Sequence, residues 1–210
     1  MTRVWDLPFR LWHWALAFSV LFSLYSGLAG DISLMEWHQR SGFVVLALLL
    51  FRVGWWIWGG RYVRLSQYRT TPRRFIQHFA GTGKADPHTS PGIVMAILVI
   101  VALAVQAGTG LFATDDIFNE GPLVRHVGGE VSATMTWIHH RVFWVIIALV
   151  ATHITANAVY AMMRDPTPLA IFTGRKPLDL PPTEQHLLRA LFTAAGAALV
   201  VYGALAWSGY

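Results

Sequence analysis

Five long apolar segments, Leu11 to Gly30, Gly42 to Gly59, Gly92 to Ala113, Val142 to Met163 and Leu187 to Trp207, take up about half of this 210-residue chain. Each approaches the ~20 residues a helix needs to cross ~30 Å of hydrocarbon. A span in lipid has to satisfy its backbone hydrogen bonds internally, so these runs predict five helices in one membrane domain covering 1–210. With 55% of residues hydrophobic, 13% charged and a mean hydropathy of +0.47, the chain exceeds what a soluble domain carries. The expected fold is all-α, an integral membrane helical bundle. The first run could instead be read as a secretory leader, with Gly27-Leu28-Ala29-Gly30 loosely resembling a cleavage site. It is longer than a leader's apolar core and holds His13 between Trp12 and Trp14, so it is read as a retained span.

The net charge of +5 does not mark a nucleic-acid binder, because the cations collect in particular loops. The loop from Gly60 to Pro91 carries Arg61, Arg64, Arg69, Arg73, Arg74 and Lys84, and the segment after Met163 adds Arg164, Arg175 and Lys176. Both are predicted cytoplasmic, together with Arg3, Arg10 and the N-terminus. Asp31 and Glu36 in one connection, and Asp115, Asp116, Glu120 and Glu130 in another, face the other side with Tyr210. The tryptophans Trp5, Trp12, Trp14, Trp37, Trp55, Trp56, Trp58, Trp137 and Trp207 cluster at span ends and are expected as an interfacial belt.

Histidine inside a span is rare and signals function by default. His139 and His153 are fourteen residues apart in the fourth run, so they lie within about 40° of one another on a helix and ~21 Å apart along it. His38 begins the second run at the outer end, matching His139 in depth; His13 enters the first near the cytoplasmic end, matching His153. Two imidazole pairs at two depths suit two stacked haems in a four-helix core, with the fifth helix added at the C-terminus. His140 competes with His139, but its phase differs from that of His153 by about 220°. A single such histidine is more often a packing or proton-relay residue, and zinc would need ligands converging on one point. With no cysteine, thioether attachment, iron–sulfur clusters and thiolate-ligated haem are excluded, so a haem here is held non-covalently. Glycines inside the spans, Gly27, Gly54, Gly108 and Gly110, permit close approach of either a helix or a flat macrocycle.

The stretches VWDLPFRLWHW, WHQRSGF, LLFRVGWWIWGGRYVR and GLFATDDIFNEGPL, with the His139 to His153 spacing, resemble the bacterial cytochrome b561 family, particularly the branch of b-type cytochrome subunits of nickel–iron hydrogenases, from Val4 to about Lys176. The resemblance implies two haems b with His13, His38, His139 and His153 as axial ligands. It also implies electron passage between a periplasmic redox protein, such as a c-type cytochrome or hydrogenase, and the quinone pool of the bacterial inner membrane. Bis-imidazole ligation favours electron transfer over substrate activation. Arg10 and Arg52 inside, and Arg40 and Arg141 outside, are candidate partners for haem propionates; otherwise they are snorkelling interfacial arginines.

Three function classes remain open. They are a di-haem electron-transfer subunit, a self-contained quinone-linked oxidoreductase of the superoxide oxidase type, and a haem-free proton-relay transporter or assembly factor. The outer loop from Thr114 to Trp137 is the expected docking surface for a redox partner. Thr71 to Phe79 reads as a short interfacial helix on anionic lipid, with a quinone beside it and His88 or His78 titrating near neutrality to supply a proton.

Overall fold

The structure, a computed structural model, describes residues 1–82 and 86–210; Lys84 of the basic loop lies outside the described residues. A two-residue strand, β1 (Thr2–Arg3), precedes α1 (Leu7–Leu28) and α2 (Ile32–Trp58). The short helix α3 (Pro72–Phe79) leads to α4 (Ser90–Gly110), α5 (Gly129–Met162) and another short helix, α6 (Thr167–Thr173). The strand β2 (Arg175–Lys176) and α7 (Leu187–Ser208) complete the chain. Five of these helices are long and apolar enough to cross a membrane.

Local sequence starts the helices. Asp6 caps α1 by accepting from Phe9 N, Thr71 caps α3 and Thr89 caps α4, each followed by a proline in the first turn. The helix expected for Thr71 to Phe79 is present as α3, with Phe75, Ile76 and Phe79 along it. Two helices begin several turns before their apolar runs: α2 at Ile32 rather than Gly42, and α5 at Gly129 rather than Val142. Hydropathy marks the part inside hydrocarbon, whereas the backbone continues helical wherever its polar turns find partners. At the start of α2, Gln39 Nε2 donates to the Glu120 carbonyl, Tyr210 donates to Gln39, and Glu36 pairs with Arg40. The loop expected from Thr114 to Trp137 is therefore shorter, and its end belongs to α5.

The α1 helix packs on α2, α4 on α5, and α2 also on α4 and α7. Phe9, Trp12, Leu16 and Val20 on one stripe of α1 meet Val45, Leu49 and Trp55 of α2 and Leu103 of α4. The outer faces of α5 and α7 stay apolar and uncovered, with Trp144, Ile154, Leu188, Phe192 and Leu199 all exposed. In a bilayer those side chains meet acyl tails.

Three tryptophans depart from the expected belt. Trp5, Trp12 and Trp55 are buried in a plug at the face that carries the N-terminus. At its centre the fully buried Asp6 carboxylate accepts from Trp55 Nε1 at 3.2 Å and from Gly60 N at 3.0 Å, besides capping α1. Burial raises the Asp6 pKa, and these hydrogen bonds oppose the rise. The strand pair β1–β2 closes the plug: Val4 N and Trp5 N donate to the Gly174 carbonyl. Gly174 has φ +74°, and a Cβ there would lie 2.8 Å from Trp5 O, so only glycine fits this junction.

Candidate functional site

The α5 helix packs on α4 and α6 and makes at most slight backbone contact with α1 and α2. Across that gap the structure brings two imidazole pairs together. His38 of α2 faces His139 of α5 with ring centroids 6.2 Å apart, and His13 of α1 faces His153 of α5 at 6.3 Å. One metal ion between two imidazoles, with bonds of about 2 Å on each side, puts ring centroids about 6 Å apart. A direct hydrogen bond between the rings would draw them closer.

At the first pair the ring orientation is fixed from behind. His38 Nδ1–H donates to the Ser23 carbonyl of α1 at 2.9 Å, and His139 Nδ1–H to the Gln106 carbonyl of α4 at 2.9 Å. A carbonyl can only accept, so Nδ1 carries the proton in both rings and each Nε2 keeps its lone pair, as a metal-binding imidazole requires.

Two matching stretches, Ser23-Leu-Tyr-Ser26-Gly27 and Gln106-Ala-Gly-Thr109-Gly110, build these seats. In each, the first residue's carbonyl takes the imidazole proton. The hydroxyl three residues on donates to the preceding turn, Ser26 to Phe22 O and Thr109 to Val105 O, and lies 3.4 Å from the same Nδ1. The glycine that follows leaves room for the ring: a Cβ on Gly27 or Gly110 would lie 2.9 Å from Cε1 of His38 or His139. Gly54 instead abuts Thr193 and Trp58 in ordinary helix packing, and Gly108 touches nothing within 4 Å. None of the seat residues except the glycines stood out in the sequence. The signal that could have found them is a hydroxyl–glycine pair at the same depth of two spans.

A cavity of about 460 Å³ surrounds this pair and includes Val20, Leu103, Gln106, Thr136, His140 and Ile146 in its wall. That is within the ~300–1,000 Å³ of ordinary cofactor pockets. Gln106 Oε1 at this pair and His13 Nδ1 at the other are buried without a protein partner, polar atoms that a bound group can satisfy. Paired imidazoles, glycines that clear the rings and an apolar wall together fit a non-covalent haem; the His139 Nε2 lone pair that such a group would take accepts from the Gln106 side-chain amide at 3.2 Å in this structure. The second pair is built differently: His13 lacks a carbonyl partner for Nδ1, and His153 is exposed on the open side of α5. His140 shares the wall of the cavity, its ring 6.3 Å from that of His139, but it is His139 that stands opposite His38.

The arginines expected beside propionates are engaged elsewhere. Arg40 pairs with Glu36, Arg141 lies over the Trp137 ring at 5.3 Å, and neither lines the cavity. Arg52 is fully buried among the rings of Phe9, Trp12, Trp56 and Tyr68, donating to the Val63 carbonyl and to Tyr68. Arg10 donates to the Phe172 carbonyl at the end of α6.

His88 also departs from expectation. Its ring sits between Trp5 and Tyr68, at centroid distances of 4.6 and 4.7 Å, and its Nε2–H donates to the Tyr62 carbonyl at 2.7 Å. Burial, reinforced by the positive charges of Arg52 and Lys176, pushes its pKa down to about 4, so it does not titrate near neutrality. The unfolded chain binds a proton at this residue below its ordinary pKa of ~6.5, and the folded chain only near 4. The neutral ring's contribution to stability is complete above pH ~6.5 and is lost progressively towards pH 4, up to about 3 kcal/mol. Thermal unfolding midpoints measured across this window should fall for the wild type and fall less for His88→Gln, which keeps a donor for Tyr62. Parallel pH profiles would refute this role. His78 is placed differently, its Nε2 2.7 Å from the Tyr160 hydroxyl, joining α3 to the end of α5.

On the far face, Asp115 closes its own turn. Its Oδ1 accepts from Ile117 N, Phe118 N and Asn119 N, and these bonds hold its carboxyl well below the usual range. Ile117 and Phe118 stand out from that turn, 75% and 77% exposed.

The model of the family described as prokaryotic cytochrome b561 matches residues 4–174. Neither the curated proteins nor the solved structures include a match to the chain. The matched region runs from the start of the plug to the end of α6 and leaves α7 outside it.

Proposed function

The chain belongs to the prokaryotic cytochrome b561 family, a multi-pass membrane b-type cytochrome of electron transfer, and from that premise we propose that it holds two haems b and carries electrons between a periplasmic redox protein and the quinone pool. His38 and His139 would hold one haem and His13 and His153 the other. The observation that carries this reading is the pair of imidazole facings, 6.2 and 6.3 Å, both across a gap that α5 leaves against α1 and α2.

A haem b held by these imidazoles would supply reversible one-electron chemistry. The protein's part is to hold the rings. The Ser23 and Gln106 carbonyls fix the tautomer and direction of His38 and His139, and a donated Nδ1 proton makes each ring a stronger ligand. The apolar wall of Val20, Leu103 and Ile146 keeps water out.

The periplasmic partner in this reading is a hydrogenase-type redox protein, docked at the far face near the exposed Ile117 and Phe118. The basic loops support an orientation with the N-terminal face towards the cytoplasm, in a bacterial inner membrane. On that face the amphipathic α3, tied to α5 through His78 and Tyr160, is the element beside which a quinone would enter from the bilayer.

The test is a count. Protein purified in mild detergent should show a reduced-minus-oxidised spectrum of b type and a haemochrome ratio of two per chain, all extractable by acid–acetone. One haem or none in fully loaded preparations would overturn the two-site reading. Co-purification with a redox partner, against quinone reduction by the chain alone, separates a subunit from a self-contained oxidoreductase.

A further inference from the structure

The two-residue ribbon at the N-terminal face pairs like charges. In the β1–β2 register Arg3 stands directly opposite Arg175, an arrangement that destabilises an antiparallel pair. Both side chains line a hollow of about 540 Å³ together with Arg10, Gln185, Thr173, Met1, Trp5 and Leu7. Among the described residues no carboxylate lines it. The two acids nearest in sequence are committed elsewhere: Asp6 is turned inward onto Trp55 and Gly60, and Glu184 pairs with Arg61. Among the described residues none of the three arginines has an ion-pair partner.

The remaining polar groups agree in sign. Gln185 accepts from Leu7 N through its Oε1, so its amide NH₂ is left as a donor. Arg10 uses one nitrogen on Phe172 O while its Nε is buried without a partner. The charged side chains that line the hollow are thus all positive, beside Met1 and Leu7 at the N-terminal ends of α1 and α7; the Thr173 hydroxyl is already engaged by Leu169 O and Arg175 N.

We infer that this hollow is a binding site for a phosphate group, presented by an anionic phospholipid headgroup or as the free anion. The guanidiniums of Arg3 and Arg175 grip its oxygens, and the bound anion turns the repulsion across the ribbon into a bridge. Basic pockets between membrane helices on the cytoplasmic side recognise phospholipid headgroups by this chemistry. Because the ribbon joins the two ends of the plug, occupancy reports on the stability of that whole face.

The haem-loaded protein in dodecyl maltoside would be titrated with phosphatidylglycerol, phosphatidylcholine and inorganic phosphate, reading the thermal midpoint and counting bound lipid by native mass spectrometry. A saturable rise with phosphatidylglycerol alone assigns the lipid as the source, and an equal rise with inorganic phosphate assigns the free anion. The absence of any rise, or an equal rise with phosphatidylcholine, overturns the site. Arg175→Glu places an opposite charge across from Arg3, so it should fold at least as stably without ligand and keep its haem content while binding at least tenfold more weakly. Wild-type affinity in that variant overturns the inference regardless of the other results.

Discussion

His139→Ala and His38→Ala are each expected to lower the haem content from two per chain to one, removing the same haem. His13→Ala or His153→Ala should remove the other. The reason is geometric: each ring faces its partner across the gap, so loss of one would leave a single imidazole to hold the haem. His140→Ala should keep both haems, although His140 lines the same cavity, because His139 is the ring opposite His38 and is held by Gln106. Gly110→Leu offers a sharper version of the test. It keeps every ligand but drives atoms into the His139 ring, 2.9 Å from where a Cβ would sit, so it should remove the same haem as His139→Ala. Haemochrome assays with low-temperature spectra would read all of these. Loss of a haem in His140→Ala with retention in His139→Ala would reverse the assignment.

Asp6→Ala should cause a large loss of stability in the plug. The side chain caps α1 and satisfies Trp55 Nε1 and Gly60 N, all in a fully buried setting. Loss of an N-cap costs about 1 kcal/mol, and each orphaned buried donor about 1–3 kcal/mol more, so the total is on the order of 3 kcal/mol or above. Asp6→Asn keeps a carbonyl oxygen for the cap but turns an NH₂ towards donors, and should fall between the two. Thermal unfolding of haem-loaded protein measures the series. A midpoint for Asp6→Ala within a degree or two of wild type would show that water or a neighbouring group replaces the carboxylate.

That network explains part of what the first-helix motif is for. In VWDLPFRLWHW, residues Val4, Trp5, Asp6, Phe9 and Trp12 are all buried in or beside the plug, and His13 faces His153. The motif therefore couples one ring's position to the closure of a face. The same region gathers Arg52, whose burial among four aromatic rings is tolerable because the rings' negative faces and two oxygen acceptors replace water around the guanidinium.

Five membrane helices and the shared direction of His139 and His153 followed from the sequence alone, because apolar length and the 3.6-residue period are properties of a single segment. The pairing of His38 with His139 and His13 with His153 could be anticipated as equal depths, though depth says nothing of what stands behind a ring. Only the tertiary structure decided that. The Ser23 and Gln106 carbonyls, the clearance at Gly27 and Gly110, and the burial of Trp55 and His88 each depend on a partner from another helix. So does the ribbon that sets Arg3 against Arg175 from just outside the two ends of the matched region. The same tryptophan can anchor at an interface or fill a core, and the same arginine can snorkel or bind. Which it does is set by the groups packed against it, and in a bundle those arrive from segments far away in the chain.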